Sequence, residues 1–269
     1  MKWVVYILLT SALSVMLFFA LKAYDEAKGY EETTQMLIAE MSPQKLAKFQ
    51  LRELAETVSF GFYKNRTKER LECLKKQQLH DKAQSQKYAL YTILPLLLIL
   101  VSYFFVSLRV FTFVGALSAL GMLIFGLITP IMMVTIHKEV EYLGDVVLSF
   151  ESKGVIGSIA KLFEHGDGVV AVVILLFSVL VPLLKTLSMI WVSIFRDMRF
   201  AHGMVSFFKM IGKWSMVDVF VVATFLVYLT VNKGDVSRAE VEVGLYFFLS
   251  YVLMSMFVSL SADKMLHKG

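Results

Sequence analysis

Two charged residues stand inside apolar runs of this chain, and they are its best candidates for chemistry. Lys185 lies within 168–195, and Asp218 lies just inside the run that opens Gly212-Lys-Trp-Ser-Met-Val-Asp-Val-Phe-Val-Val-Ala223 and continues to about Val231. An unpaired charge deep in a bilayer costs on the order of 3 kcal/mol even on lenient scales, so each needs a partner, water or an anionic or cationic ligand. Lys185 is about ten residues, hence roughly 15 Å, from the Arg196 end of its run, near mid-membrane. Ser178, Pro182 and Lys185 share a helical face at i, i+4 and i+7, and Ser188 follows on the same side. Pro182 cannot donate to the carbonyl of Ser178, which leaves an acceptor open. The expectation is a polar groove at Lys185, Ser178, Ser188 and Pro182 where a lipid headgroup phosphate docks.

Asp218 has a second explanation. Ser215 at an N-cap with Asp218 three residues on resembles a capping box, and the carboxylate suits the positive end of a helix dipole. Trp214 reads as an interfacial anchor and Lys213 as a charge at the membrane surface. Ser255, Ser259 and Asp263 share one face of the last apolar run. A direct bridge between Lys185 and Asp218 is disfavoured, because on adjacent antiparallel helices they sit about 15 Å and about 7 Å from the same edge.

The elements that position these residues are membrane spans. Of 269 residues, 57% are hydrophobic and 18% charged, whereas soluble domains carry about 25% charge. The pattern predicts an all-α, multi-span helical membrane protein with about six transmembrane helices: 3–21, 88–108, 110–136, 168–195, 215–231 and 244–261. The first run is longer than a typical signal-peptide core of about 7–15 residues, which argues for an uncleaved anchor over 1–24. Residues 25–87 read as a helical extramembrane segment, with Ser42-Pro43 starting a helix and 59–66 a break. Its last helix continues into the second span. Arg109 marks the tip of a hairpin between spans two and three, Gly115 and Ala119 permit close helix approach, and Pro130 is expected to kink span three. Residues 137–167 read as a solvated acidic loop. Together 88–265 form a five-helix membrane domain.

The most basic short loop, 196–213, carries Arg196, Arg199, Lys209 and Lys213 against Asp197 and is assigned to the cytoplasm. That places both termini in the cytoplasm and 25–87 and 137–167 outside. The net charge of +5 is not gathered into a nucleic-acid surface. The single Cys73 makes neither an internal disulfide nor a Cys-x-x-Cys site. The scattered histidines, His137 and His165 among them, lack zinc-ligand spacing, so no metal, cofactor or catalytic group is expected.

Pro182-Leu-Leu-Lys185 and the Gly212–Ala223 string resemble the signature of the paraquat-inducible protein A family. Thr129-Pro130-Ile131-Met132 is similar to the proline-bearing end of that family's first module helix, and Asp263 stands where the family places an aspartate. The resemblance covers about 110–265, one four-helix module. It implies a multi-pass protein of the bacterial inner membrane that passes phospholipid to or from a periplasmic MCE-domain partner, in support of the outer membrane. Family members often carry two modules and zinc ribbons; this sequence shows one module and no ribbon cysteines. The competing functions are a proton-coupled secondary transporter, with Lys185 and Asp218 as relay, and a non-transporting scaffold that holds a periplasmic protein through 25–87. Oligomeric state has no signature in the sequence.

Overall fold

The computed structural model describes residues 2–40, 66–140, 144–194 and 237–267. Five helices among them are long and apolar enough to cross a membrane. They coincide with the expected spans one, two, three, four and six. The expected fifth span, 215–231, lies outside the described residues, as do Ser42-Pro43 and all of the Gly212–Ala223 string with Lys213, Trp214, Ser215 and Asp218.

The first two helices form a long antiparallel pair. α1 (Lys2–Glu40) has 39 residues and α2 (Arg66–Val101) has 36; at about 1.5 Å per residue each exceeds the roughly 30 Å hydrocarbon layer by a wide margin. One stripe explains both. Leu9, Ala12, Met16, Ala20, Ala23, Ala27, Tyr30 and Thr34 are buried at steps of three and four, the spacing that keeps one helix seam against its partner. Ser85, Ala89, Thr92, Leu96 and Ile99 supply the facing seam of α2. The small residues let the backbones close. The stripe runs on unbroken while the outer face changes character. Trp3, Ile7, Phe18 and Leu21 are exposed and apolar, whereas Lys22, Asp25, Glu26 and Lys28 follow them in sequence. Phe19 stacks on Tyr88 at 6.3 Å and meets Tyr91 edge-on at 5.6 Å near that changeover, as aromatic belts do at a membrane surface.

After a 3₁₀ turn, Ser102–Phe104, the chain enters α3 (Leu108–Ile128). This is the central helix of the fold, buried along most of its length. α7 (Val243–His267) packs against it through the anticipated small-residue face. A Cβ on Gly115 would come within 2.8 Å of Val258 and 3.1 Å of Met254, and Ala119 is fully buried.

Two expectations fail at the end of α3. Span three does not continue to residue 136, and Pro130 does not kink it. The helix stops at Ile128 with Thr129 extended, at φ −81° and ψ 143°, because a residue preceding proline is driven out of the helical region. The chain then becomes β1 (Met132–Val140), which pairs antiparallel with β2 (Gly144–Lys153) and with β3 (Ser237–Val241). The strand order is β2-β1-β3. Residues 137–167 are therefore no loop: they hold most of a hairpin and then α4 (Val155–Glu164).

The fourth span is α5 (Gly168–Ile174), a π-helical segment Leu175–Leu180, and α6 (Val181–Ile194). The π segment precedes Pro182, whose missing N–H and bulky ring remove the ordinary bond to Ser178 and widen the turn.

Candidate functional site

The helix pairings give the molecule two distinct ends. At one lie the start of α1, the α2–α3 turn, the end of α6 and the end of α7. Arg109 joins two of these, the start of α3 and the end of α6. Its Nε donates to the Ser193 carbonyl at 2.9 Å and its Nη2 to the Ile194 carbonyl at 2.9 Å, while Ser193 Oγ donates to the Arg109 carbonyl at 3.0 Å. A guanidinium there satisfies the last carbonyls of α6 and complements the negative end of its dipole. With Tyr6, Leu9 and Thr10 of α1 these residues border an apolar groove of about 410 Å³. Arg109 thus stands in the first turn of α3, just beyond the hairpin tip assigned to it.

Between the ends lies α6. Lys185 is 8% exposed, on the buried face that also carries Pro182, Thr186, Met189 and Val192. A lysine stem can be buried readily; an ammonium at such depth requires polar company. The Pro182 carbonyl accepts from Thr186 Oγ1 at 2.8 Å and from Tyr251 Oη of α7 at 3.3 Å, so α7 is tied to the turn just before the lysine. Ser188 is buried on the same helix, but its hydroxyl donates to the carbonyl of Lys185 at 2.6 Å. Ser178 falls in the π segment and is half-buried. The wider turn shifts it away from the simple i, i+7 alignment with Lys185.

On α7, Ser255 is buried and donates to the Val252 carbonyl at 3.0 Å. Ser259 Oγ is buried with no hydrogen-bond partner among the described residues. Asp263, half-buried, follows one turn on, within the helix and not after it. The neighbouring Ser261, which the sequence reading passed over, closes α7 onto α3: it accepts from Thr112 at 2.9 Å and donates to the Leu108 carbonyl at 3.2 Å.

The other end contains polar residues that sequence reasoning missed. Here the more polar halves of α1 and α2 meet β3 and the start of α7. Lys82 forms an ion pair with Glu240, and Tyr30 Oη donates to the same carboxylate at 3.3 Å. Thr33 donates to Asp81 at 3.3 Å and Gln78 to Thr34 at 2.9 Å, fixing the pairing of α1 with α2. Beside them Glu242 is 3% exposed, and its Oε1 has no hydrogen-bond partner among the described residues. Burial pushes its carboxyl up from the ordinary 4.5 to about 7; Lys82 pulls it down, and Glu240 and Glu31 push it further up. Thr129 Oγ1, where α3 ends against the start of α7, is likewise buried without a partner. The sequence offered one sign of this: an acidic residue immediately before an apolar run.

Comparison with known proteins bears on the part of the chain from α3 onward. The family model described as paraquat-inducible protein A matches residues 111–267. The intermembrane transport protein PqiA of Escherichia coli K12 is 30% identical over 115 residues, covering 40% of this chain and 27% of that protein. Proteins of the same name from E. coli O6:H1 and Shigella flexneri give the same figures. The match thus spans about a quarter of these relatives' length. No solved structure matches. The matched segment begins in the first turn of α3 and includes Lys185, the sheet, Glu242 and α7, leaving the α1–α2 pair outside it. With more than half of its residues matched, the chain belongs to the paraquat-inducible protein A family.

Proposed function

We propose that this membrane protein is an inner-membrane component of an intermembrane lipid transport system, passing phospholipid to or from a periplasmic MCE-domain partner. The observation that carries the reading is Lys185, buried within the family segment one turn after a proline-opened stretch of helix. A cation held at that depth can recognise a phosphate where the surrounding bilayer offers it little competition from water. The name of the E. coli relative, an intermembrane transport protein, agrees with cargo that moves between membranes. In this reading the sheet end faces the periplasm, and the tall α1–α2 pair rises beside the place where a periplasmic partner would dock. Both termini are then cytoplasmic.

Complementation tests the proposal. Lys185→Ala should insert and accumulate like the parent protein yet fail to repair a lipid-barrier defect in cells lacking the parent. Full repair by a well-expressed variant would overturn the role given to Lys185. A scaffold would keep its function in that variant, and a proton-coupled transporter would show lysine-dependent proton flux in lipid-free-cargo liposomes.

A further inference from the structure

The seam between the α1–α2 pair and the sheet end is built around a buried acid that has no use in the lipid reading. Glu242 is 3% exposed and its main chain is held on both sides. Its N–H donates to the Ile131 carbonyl at 2.9 Å and its own carbonyl accepts from Leu245 at 3.2 Å, which pins it between β3 and α7. Two residues on, Gly244 donates to the Pro130 carbonyl at 2.9 Å. A bare carboxylate so enclosed is costly unless it is paired or takes a proton.

The charges around it offer no spare partner. Lys82 of α2 is the cation whose field reaches Glu242, and it is already bonded to Glu240 of β3. Glu240 also accepts from Tyr30 of α1, and Glu31 of α1 adds a further negative charge. Ionising Glu242 would therefore set it against Glu240 and Glu31 and in competition for Lys82, the one ion pair that holds α2 to β3 among the described residues. Protonated, it leaves that pair undisturbed.

We propose that Glu242 is a proton-binding site that controls the clasp between the α1–α2 pair and the family module: with the proton bound the seam is closed, and with the proton lost it opens. The family segment thereby becomes sensitive, through an element outside it, to the pH on the sheet side of the membrane. This inference stands apart from the lipid proposal and survives if Lys185 has another role.

Cys73, the single cysteine of the chain and exposed on α2, supplies one label position. A second on α4, Ala160→Cys, supplies the other. Pulsed electron paramagnetic resonance on the doubly labelled full chain in nanodiscs should give one distance population at pH 5.5 and a longer or broader one at pH 8.5. In Glu242→Gln, which mimics the protonated acid, the pH 5.5 population should persist at both values. Infrared difference spectra should show a protonated carboxyl band that disappears on alkalinisation in the parent and is missing in Glu242→Gln. Distances that do not change with pH in the parent, or that change equally in Glu242→Gln, would overturn the proposal. So would an unchanged infrared band in the variant, a readout that does not depend on how the α1–α2 pair moves.

Discussion

Replacing Arg109 with glutamine tests how the Arg109 end of the bundle is held. The guanidinium makes two bonds, both at 2.9 Å, to the Ser193 and Ile194 carbonyls, the first part-buried and the second exposed. A charge-assisted bond in a part-buried setting contributes about 1.5–3 kcal/mol. The exposed one is discounted to about 0.5 kcal/mol for competition with water, and the interaction with the α6 dipole adds about 0.3–1 kcal/mol. Arg109→Gln should therefore lower stability by about 2–4 kcal/mol, since the amide can restore at most one weaker bond. Thermal unfolding in detergent, followed by tryptophan fluorescence, measures the loss. The double-mutant cycle with Ser193→Ala sharpens it, because Ser193 Oγ donates back to the Arg109 carbonyl at 3.0 Å. Contacting residues of one network should show a coupling of about 0.5 kcal/mol or more. An Arg109→Gln variant within about 0.5 kcal/mol of the parent, the range of ordinary surface substitutions, would refute the clamp.

Three further outcomes follow from packing and charge. Gly126→Ala places a Cβ 2.9 Å from the Phe248 backbone nitrogen and 3.0 Å from its Cα, so α3 and α7 must separate at a cost of about 1–3 kcal/mol, read as a drop in Tm. Gly244→Ala meets the Thr129 and Pro130 carbonyl oxygens at 2.5 and 2.6 Å; both substitutions press on backbone, but these approaches are the closer, so purified yield should fall further than for Gly126→Ala. For Glu242 the folded protein holds its proton more tightly than the unfolded chain, so the stabilising contribution is fully present below about pH 4.5 and is lost as pH rises toward about 7. The loss is on the order of 3 kcal/mol from the size of the shift, and Glu242→Gln should flatten denaturant-derived stability across that window. A parent protein equally stable at pH 5 and pH 8 would contradict the account of that carboxyl.

Much of the fold was legible because apolar length and helical spacing are local signals. The described spans stood where the runs of apolar residues lie, and the Gly115–Ala119 face meets α7. The continuation of α2 from polar to apolar sequence was also readable. The sheet was not, because an apolar run does not distinguish strand from helix over a few residues. Met132 to Ile136 were absorbed into the preceding span, although Thr129-Pro130 marks a boundary and Val134, Thr135 and Ile136 are β-branched. One of their two partner strands, β3, lies roughly a hundred residues away, and pairing at that separation leaves no local trace.

The site divides in the same way. Lys185 announced itself as a charge inside an apolar run, and it is buried on α6. Its serine neighbours were placed by a 3.6-residue period, which the π segment before Pro182 interrupts. Ser188 is occupied with its own helix. Glu242 was marked only by its place before the last apolar run, and its burial was hidden for a different reason. Nothing in Arg-Ala-Glu-Val-Glu distinguishes its two acids, yet tertiary packing leaves Glu240 half-exposed and paired while Glu242 is enclosed.

The central claim is that Lys185 handles phospholipid. The most direct measurement is photocrosslinking in native membranes carrying radiolabelled phospholipid, with a photoreactive residue at Ser188, one turn from Lys185 on the buried side, and a control at Leu187, which is exposed. The account predicts a labelled adduct at Ser188 that Lys185→Ala abolishes, while the Leu187 adduct with surrounding bilayer lipid is unchanged. No adduct at Ser188, or one that persists undiminished in Lys185→Ala, would contradict it.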